Sequence, residues 1–216
     1  MRLRFINPNT TVAMTDTVRV AAIAAAPPGV RIEAVTSERG PAAIQGEADG
    51  IAALPGLLAA VVRANADGVD VIVIACFDDT GIVEARAVSP APVLGIGQCA
   101  FLSCLARGRR FSVVTTLAVS VPVIEANLDR SGLAAGCVRV RASGVPVLEL
   151  ERAGSGAEAR VEAEIRAAIE QDGISAIVLG CAGMADMAAR LQARVGLPVI
   201  DGVVAATRVA GLVVRA

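Results

Sequence analysis

The 216-residue sequence predicts an α/β fold made of two pseudo-symmetric halves, each a parallel sheet flanked by helices, with an active-site cleft between them. Three observations carry this. Short runs of Val, Ile and Leu alternate with Ala-rich stretches of helical length, the pattern of strands covered on both faces. Hydrophobic residues make up 55% of the chain and charged residues 19%, which provides a large core and differs from the composition of a disordered chain. A strand motif also recurs: Val69-Asp-Val-Ile-Val-Ile-Ala-Cys76 is matched 105 residues later by Ile174-Ser-Ala-Ile-Val-Leu-Gly-Cys181.

The elements follow in order. Leu3–Ile6 is an apolar strand that stops at Asn7-Pro8-Asn9-Thr10, a turn cluster, and Thr11–Ala25 is the first helix. Arg31–Val35 is a strand, Ser37–Gly46 is an irregular loop and Glu47–Asn65 is a helix. Val71–Ala75 is a buried strand; a short helix Gly81–Val88, a strand Val93–Gly95 and a helix Gln98–Ala106 follow it. The second series runs Phe111–Thr115 (strand), Val119–Arg130 (helix), Val138–Arg141 (strand), Gly156–Gln171 (helix), Ala176–Gly180 (strand), Met184–Arg194 (helix), Pro198–Ile200 (strand) and Val203–Val214 (helix). Phe5-Ile6-Asn7 corresponds to Val113-Val114-Thr115. The expected division is 1–96 and 97–202, with the C-terminal helix, about 203–216, packing back on the first half. No Gly/Ser-rich linker separates the halves, so tight docking is expected.

Composition removes whole classes of chemistry. The net charge is −1, from 20 basic and 21 acidic residues, so there is no excess to hold a nucleic-acid backbone. The chain has no His, Trp or Tyr, and every basic residue is Arg. A Lys Schiff base with pyridoxal phosphate, a P-loop Lys, a Ser-His-Asp triad and a His-ligated metal site are therefore excluded. Acid–base chemistry near neutral pH falls to Asp, Glu and Cys, and no cofactor is expected. The five cysteines, 76, 99, 104, 137 and 181, form no C-x-x-C pair, against zinc or thioredoxin-type sites. The N-terminal apolar run is too short for a signal peptide, and the longest uncharged run, Ala87–Ala106, is broken by Pro and Gly. A cytoplasmic protein with reduced thiols, not bound to membranes and forming a homo-oligomer, is expected.

Cys76 and Cys181 each follow a buried strand and precede a helix, the position where open parallel sheets bind ligands. Helix N-terminal amides there are expected to lower the thiol pKa. Two thiols facing one substrate from opposite sides suit inversion of a carbon centre, one removing a proton while the other delivers one. Buried cysteines are commonly inert, which is the reading kept for Cys99, Cys104 and Cys137. Asn7-Pro8-Asn9-Thr10 reads equally as a turn with an N-cap, Thr115-Thr116 as a strand end, and Asp78 and Asp79 as caps of the helix at Gly81, a reading preferred for Asp79.

The segments Ile6-Asn-Pro-Asn-Thr10, Val73-Ile-Ala-Cys-Phe-Asp-Asp79, Phe111-Ser-Val-Val-Thr-Thr116, Ser120-Val-Pro122 and Leu179-Gly-Cys-Ala-Gly-Met184 resemble the aspartate/glutamate racemase superfamily, and within it hydantoin racemases. The resemblance covers nearly the whole chain. It implies a cofactor-independent two-base racemase in which Cys76 and Cys181 are the acid/bases. It also implies that Asn9 orients the substrate, that Thr115 and Thr116 are its counterpart, and that amides around Phe77, Asp78, Ala182 and Gly183 hold ring carbonyls. After the two cysteines the glutamate racemase pattern has Asn-Thr and Thr-His; here Phe-Asp-Asp and Ala-Gly-Met stand there, which suits a neutral ring better than a free amino acid. The alternatives are an allantoin or amino-acid racemase, an arylmalonate-type decarboxylase (which needs one proton donor only), a non-enzymatic binding protein with two lobes, and a thiol redox protein.

Overall fold

Two four-stranded parallel sheets form the frame of the computed structural model, which describes residues 1–213. The first holds β1 (Arg2–Asn7), β2 (Arg31–Thr36), β3 (Val71–Ile74) and β4 (Val93–Gly95) in the order β2-β1-β3-β4. The second holds β5 (Phe111–Thr115), β6 (Cys137–Ala142), β7 (Ala176–Leu179) and β8 (Val199–Ile200) in the order β6-β5-β7-β8. The orders are the same, and so is the register of β1 on β3 and β5 on β7, whereas β5 and β6 pair with a shift between Phe111 and Ser112 that β1 and β2 lack. Ile6 pairs with Ile74, and Val114 with Leu179, so the repeated Cys motifs end equivalent strands.

The helices are α1 (Val12–Ala25), α2 (Glu47–Ala66), α3 (Ile82–Val88), α4 (Ile96–Leu105), α5 (Val121–Arg130), α6 (Ala157–Gln171), α7 (Ala188–Val195) and α8 (Gly202–Val213). Three starts differ from the sequence reading by two residues or more. α4 begins at Ile96 rather than Gln98, and a 3-10 turn at Ala118–Ser120 precedes α5. The helix expected from Met184 is instead a 3-10 segment, Ala182–Met187, followed by α7. That segment packs against α1 and α8 with Ala182, Gly183, Met184 and Ala185 buried, so tertiary packing overrides the helix propensity of its Ala and Met residues. The expected end of the last helix at Val214, and the stretch to 216, lie outside the described residues.

Strand alternation divides the core. Leu3, Phe5, Val71 and Val73 share one cluster with Phe111, Val113, Ala176 and Val178, so one face of each sheet feeds a continuous interior. The opposite faces carry Ile6, Ile72 and Ile74 in one outer core and Val114, Ile177 and Leu179 in the other. Aromatic packing crosses the interior: Phe77 meets Phe101 edge-on at 5.5 Å, and Phe101 stacks on Phe111 at 5.8 Å. α8 packs on α4 and α1. In the second sheet, Arg141 on β6 grips the fully buried Asp172 side chain with two bonds of 2.7 Å, and Ser112 on β5 adds a third.

Candidate active site

The carboxyl ends of β1, β3, β5 and β7 meet at a pocket that is open to solvent. Asn9 and Met14 reach it from the β1–α1 turn and from α1, and Ala75, Cys76, Phe77 and Asp78 from the end of β3. The second half adds Thr116 and Ser120 after β5, and Gly180, Cys181 and Ala182 after β7. Ile44 and Val147 come from loops of opposite halves. Those loops are joined: the Val147 amide donates to Gln45 Oε1 at 3.0 Å. The Ser37–Gly46 loop is also tied down, because Thr10 N and Thr11 Oγ1 donate to the carbonyls of Pro41 and Ala42.

Cys76 and Cys181 are free thiols lining the same pocket. The expectation that helix amides depress their pKa is corrected here. Burial pushes the Cys76 thiol up, with the Asp78 carboxylate adding to the effect, and burial pushes Cys181 up to about 12. No α-helix begins directly behind either sulfur: α3 starts at Ile82, and the 3-10 segment follows Cys181. Local donors oppose the burial. The Thr80 hydroxyl donates to Cys76 Sγ at 3.4 Å, and the amides of Asp78 and Gly183 favour the thiolates of Cys76 and Cys181.

Asn9 serves both readings of its turn. Its Oδ1 accepts from Asn7 Nδ2 and from the Thr11 amide, each at 2.9 Å, while its Nδ2 has only the sulfur of Met14, at 3.4 Å, leaving a donor for the pocket. Thr116 lines the pocket, but Thr115 does not; its hydroxyl donates to the Gly180 carbonyl at 2.9 Å, bonding β5 to the end of β7. Gly183 lies outside the lining and directs its amide at Cys181. Phe77 contributes backbone, since its ring is buried in the shared core. Sequence reasoning missed Met14, Ile44 and Val147, apolar residues with no local signal, and Ser120, which stands in a recognised motif.

Asp79 is not a solvated cap of the helix at Gly81. It is buried, with φ 45°, and its two carboxyl oxygens accept the Gly97 and Gln98 amides at 2.9 and 2.8 Å. It therefore caps α4 and bolts the Cys76 loop to the start of that helix. Gly95 and Gly97 are required beside it, because a Cβ at either would collide with the Asp79 carboxylate. The carboxylate of the next buried acid, Asp78, accepts no hydrogen bond among the described residues, and burial raises it to about 7. Among the described residues no three His, Cys, Asp or Glu are placed to share a metal ion.

Residues 3–210 match the profile of the Asp/Glu/Hydantoin racemase family. The chain belongs to that family. Its relatives include a hydantoin racemase of Rhizobium meliloti, 44% identical over 97% of this chain and 87% of the relative. Another, from Pseudomonas sp. (strain NS671), is 38% identical over 99% of this chain and 86% of its own. The solved allantoin racemase from Klebsiella pneumoniae superposes with a TM-score of 0.95 at 39% identity, covering 100% of this chain and 88% of that one. The α/β architecture is that of the racemase structures, and the protein is an enzyme of the racemase family. No described helix is long and apolar enough to cross a membrane.

Proposed function

We propose that the protein racemises 5-monosubstituted hydantoins without a cofactor, using Cys76 and Cys181 as opposed acid and base. The observation that carries this is the placement of two thiols at equivalent strand ends in one pocket. One cysteine, as thiolate, takes the C5 proton. The electron pair moves into the adjacent carbonyl as an enolate, and the other thiol gives its proton to the opposite face. The negative charge ends on the second sulfur, ready for the reverse reaction. Asn9 Nδ2 and the pocket amides supply donors for the enolate oxygen. A hydantoin C5–H lies next to a neutral carbonyl, so its carbanion is more accessible than that of an amino-acid anion. The reading takes 1–96 and 97–202 as the two functional halves. Allantoin is a second reading, favoured by the likeness to the solved allantoin racemase.

The direct test incubates single enantiomers of 5-benzylhydantoin, 5-isobutylhydantoin and allantoin with the protein and follows optical rotation, with and without EDTA. Decay to zero rotation for the hydantoins, unaffected by EDTA, is the expected result. Activity restored only by a divalent metal contradicts it.

The raised thiols also set a pH dependence. At neutral pH both sulfurs are mostly protonated, so the fraction carrying the needed single thiolate grows as pH rises. The kcat/KM for racemisation should therefore climb between pH 7 and 8.5. A profile that peaks below pH 7 would show thiols depressed rather than raised.

A further inference from the structure

We propose that the Asp78 carboxylate reads a ring N–H of the substrate and keeps carboxylate-bearing molecules out of the pocket. The inference rests on the cyclic-ureide reading above and extends it to what selects the ring.

Asp78 is 8% exposed and lines the pocket beside both catalytic thiols. Its Oδ2 is buried with no partner, and neither oxygen accepts a hydrogen bond among the described residues. The neighbouring acids each have a donor on at least one oxygen: Asp79 takes two amides, Asp201 Oδ1 takes the Val204 amide and the half-buried Glu151 takes the Thr17 hydroxyl on Oε2, while Asp201 Oδ2 and Glu151 Oε1 are also without a partner. A buried carboxylate without a donor is costly and calls for a ligand that supplies one.

The backbone that carries Asp78 is held in place. Its own carbonyl is held by Asn127 Nδ2 at 2.5 Å from the second half, and the next residue is anchored on α4. No arginine lines the pocket to neutralise it.

A cyclic ureide presents carbonyl acceptors and N–H donors around one ring. Asn9 Nδ2 and the hydroxyls of Thr116 and Ser120 are donors suited to the carbonyls, and Asp78 is the only charged acceptor in the lining. The same charge in the lining repels anionic substrates.

The test is calorimetric binding of hydantoin, 1-methylhydantoin and 3-methylhydantoin. All three are achiral, so exchange at C5 leaves them unchanged and binding is read apart from turnover. The wild type should bind one N-methyl isomer about ten-fold or more weaker than hydantoin, the effect of losing a hydrogen bond to a charged group. Asp78→Ala should weaken hydantoin by a similar factor and bring the two isomers to within about three-fold of each other. Asp78→Asn should bind hydantoin-5-acetate about ten-fold tighter than the wild type, by removal of the like charge.

Equal wild-type binding of hydantoin and both isomers overturns the proposal without any variant. So does an isomer preference that survives in Asp78→Ala, and so does failure of hydantoin to bind. Loss of the C5–H signal of 5-isobutylhydantoin in D2O tests the racemase reading separately. Its absence, with the isomer preference intact, removes racemisation and leaves Asp78 as the N–H acceptor.

Discussion

Cys76→Ser and Cys181→Ser should each lower racemisation by about 10³-fold, because both proton positions are used in every turnover and Ser is far too weak an acid to replace either thiol. The two variants should differ in D2O. The remaining cysteine still reaches the enantiomer whose C5–H points at it, and it returns a deuteron to the same face. Each variant should therefore exchange the C5 hydrogen of one enantiomer without inversion, and the two should show opposite preferences. Proton NMR of each pure enantiomer with each variant gives the answer. Near wild-type racemisation by either variant, or exchange of the same enantiomer by both, defeats the opposed two-thiol mechanism. The differing surroundings of the sulfurs predict unequal residual rates as well. Cys76 has a side-chain hydroxyl donor in Thr80, whereas Cys181 has the Gly183 amide.

Asp79→Ala should damage the enzyme without touching substrate. Removing this carboxylate leaves the buried Gly97 amide and the partly buried Gln98 amide unpaired and frees the Cys76 loop from α4. One buried and one partly buried donor left unsatisfied cost about 1–3 kcal/mol in stability, read as a lower denaturant midpoint. A base displaced by even an ångström loses about 100-fold in kcat. Asp79→Asn, which keeps one acceptor oxygen, should fall between wild type and Asp79→Ala in both measurements. Since Asp79 acts by positioning, its loss should lower kcat while leaving the wild-type ratio of binding to 1-methylhydantoin and 3-methylhydantoin in place. An Asp79→Ala protein of wild-type stability and rate would show that the cap does not hold the loop.

Much of this molecule was legible in one dimension. All eight expected strands are present; the central ones, β3, β5 and β7, are buried throughout and are written as short apolar runs with turn residues at their ends. The repeat ending in Cys76 and Cys181 reported the equivalence of β3 and β7, since a duplicated half keeps its local pattern. The absence of Lys and His confined the chemistry to carboxyls and thiols. Tertiary structure alone decided the rest. Whether Ala182–Met187 winds as an α-helix or a 3-10 segment depends on what packs against it. Thr115 and Thr116 are identical neighbours in sequence, yet pleating turns one hydroxyl onto the Gly180 carbonyl and leaves the other facing the pocket. Asp78 and Asp79 look alike on the page; one meets two amides of α4 and the other meets no donor. The direction of the thiol pKa values was the largest departure. A strand end followed by a helix suggests stabilising amides, but the pocket walls keep much of the water from these half-buried thiols, and that desolvation outweighs the donors. Burial is a sum over the whole fold, with Ile44 and Val147 arriving from loops of opposite halves, so no local stretch of sequence contains it.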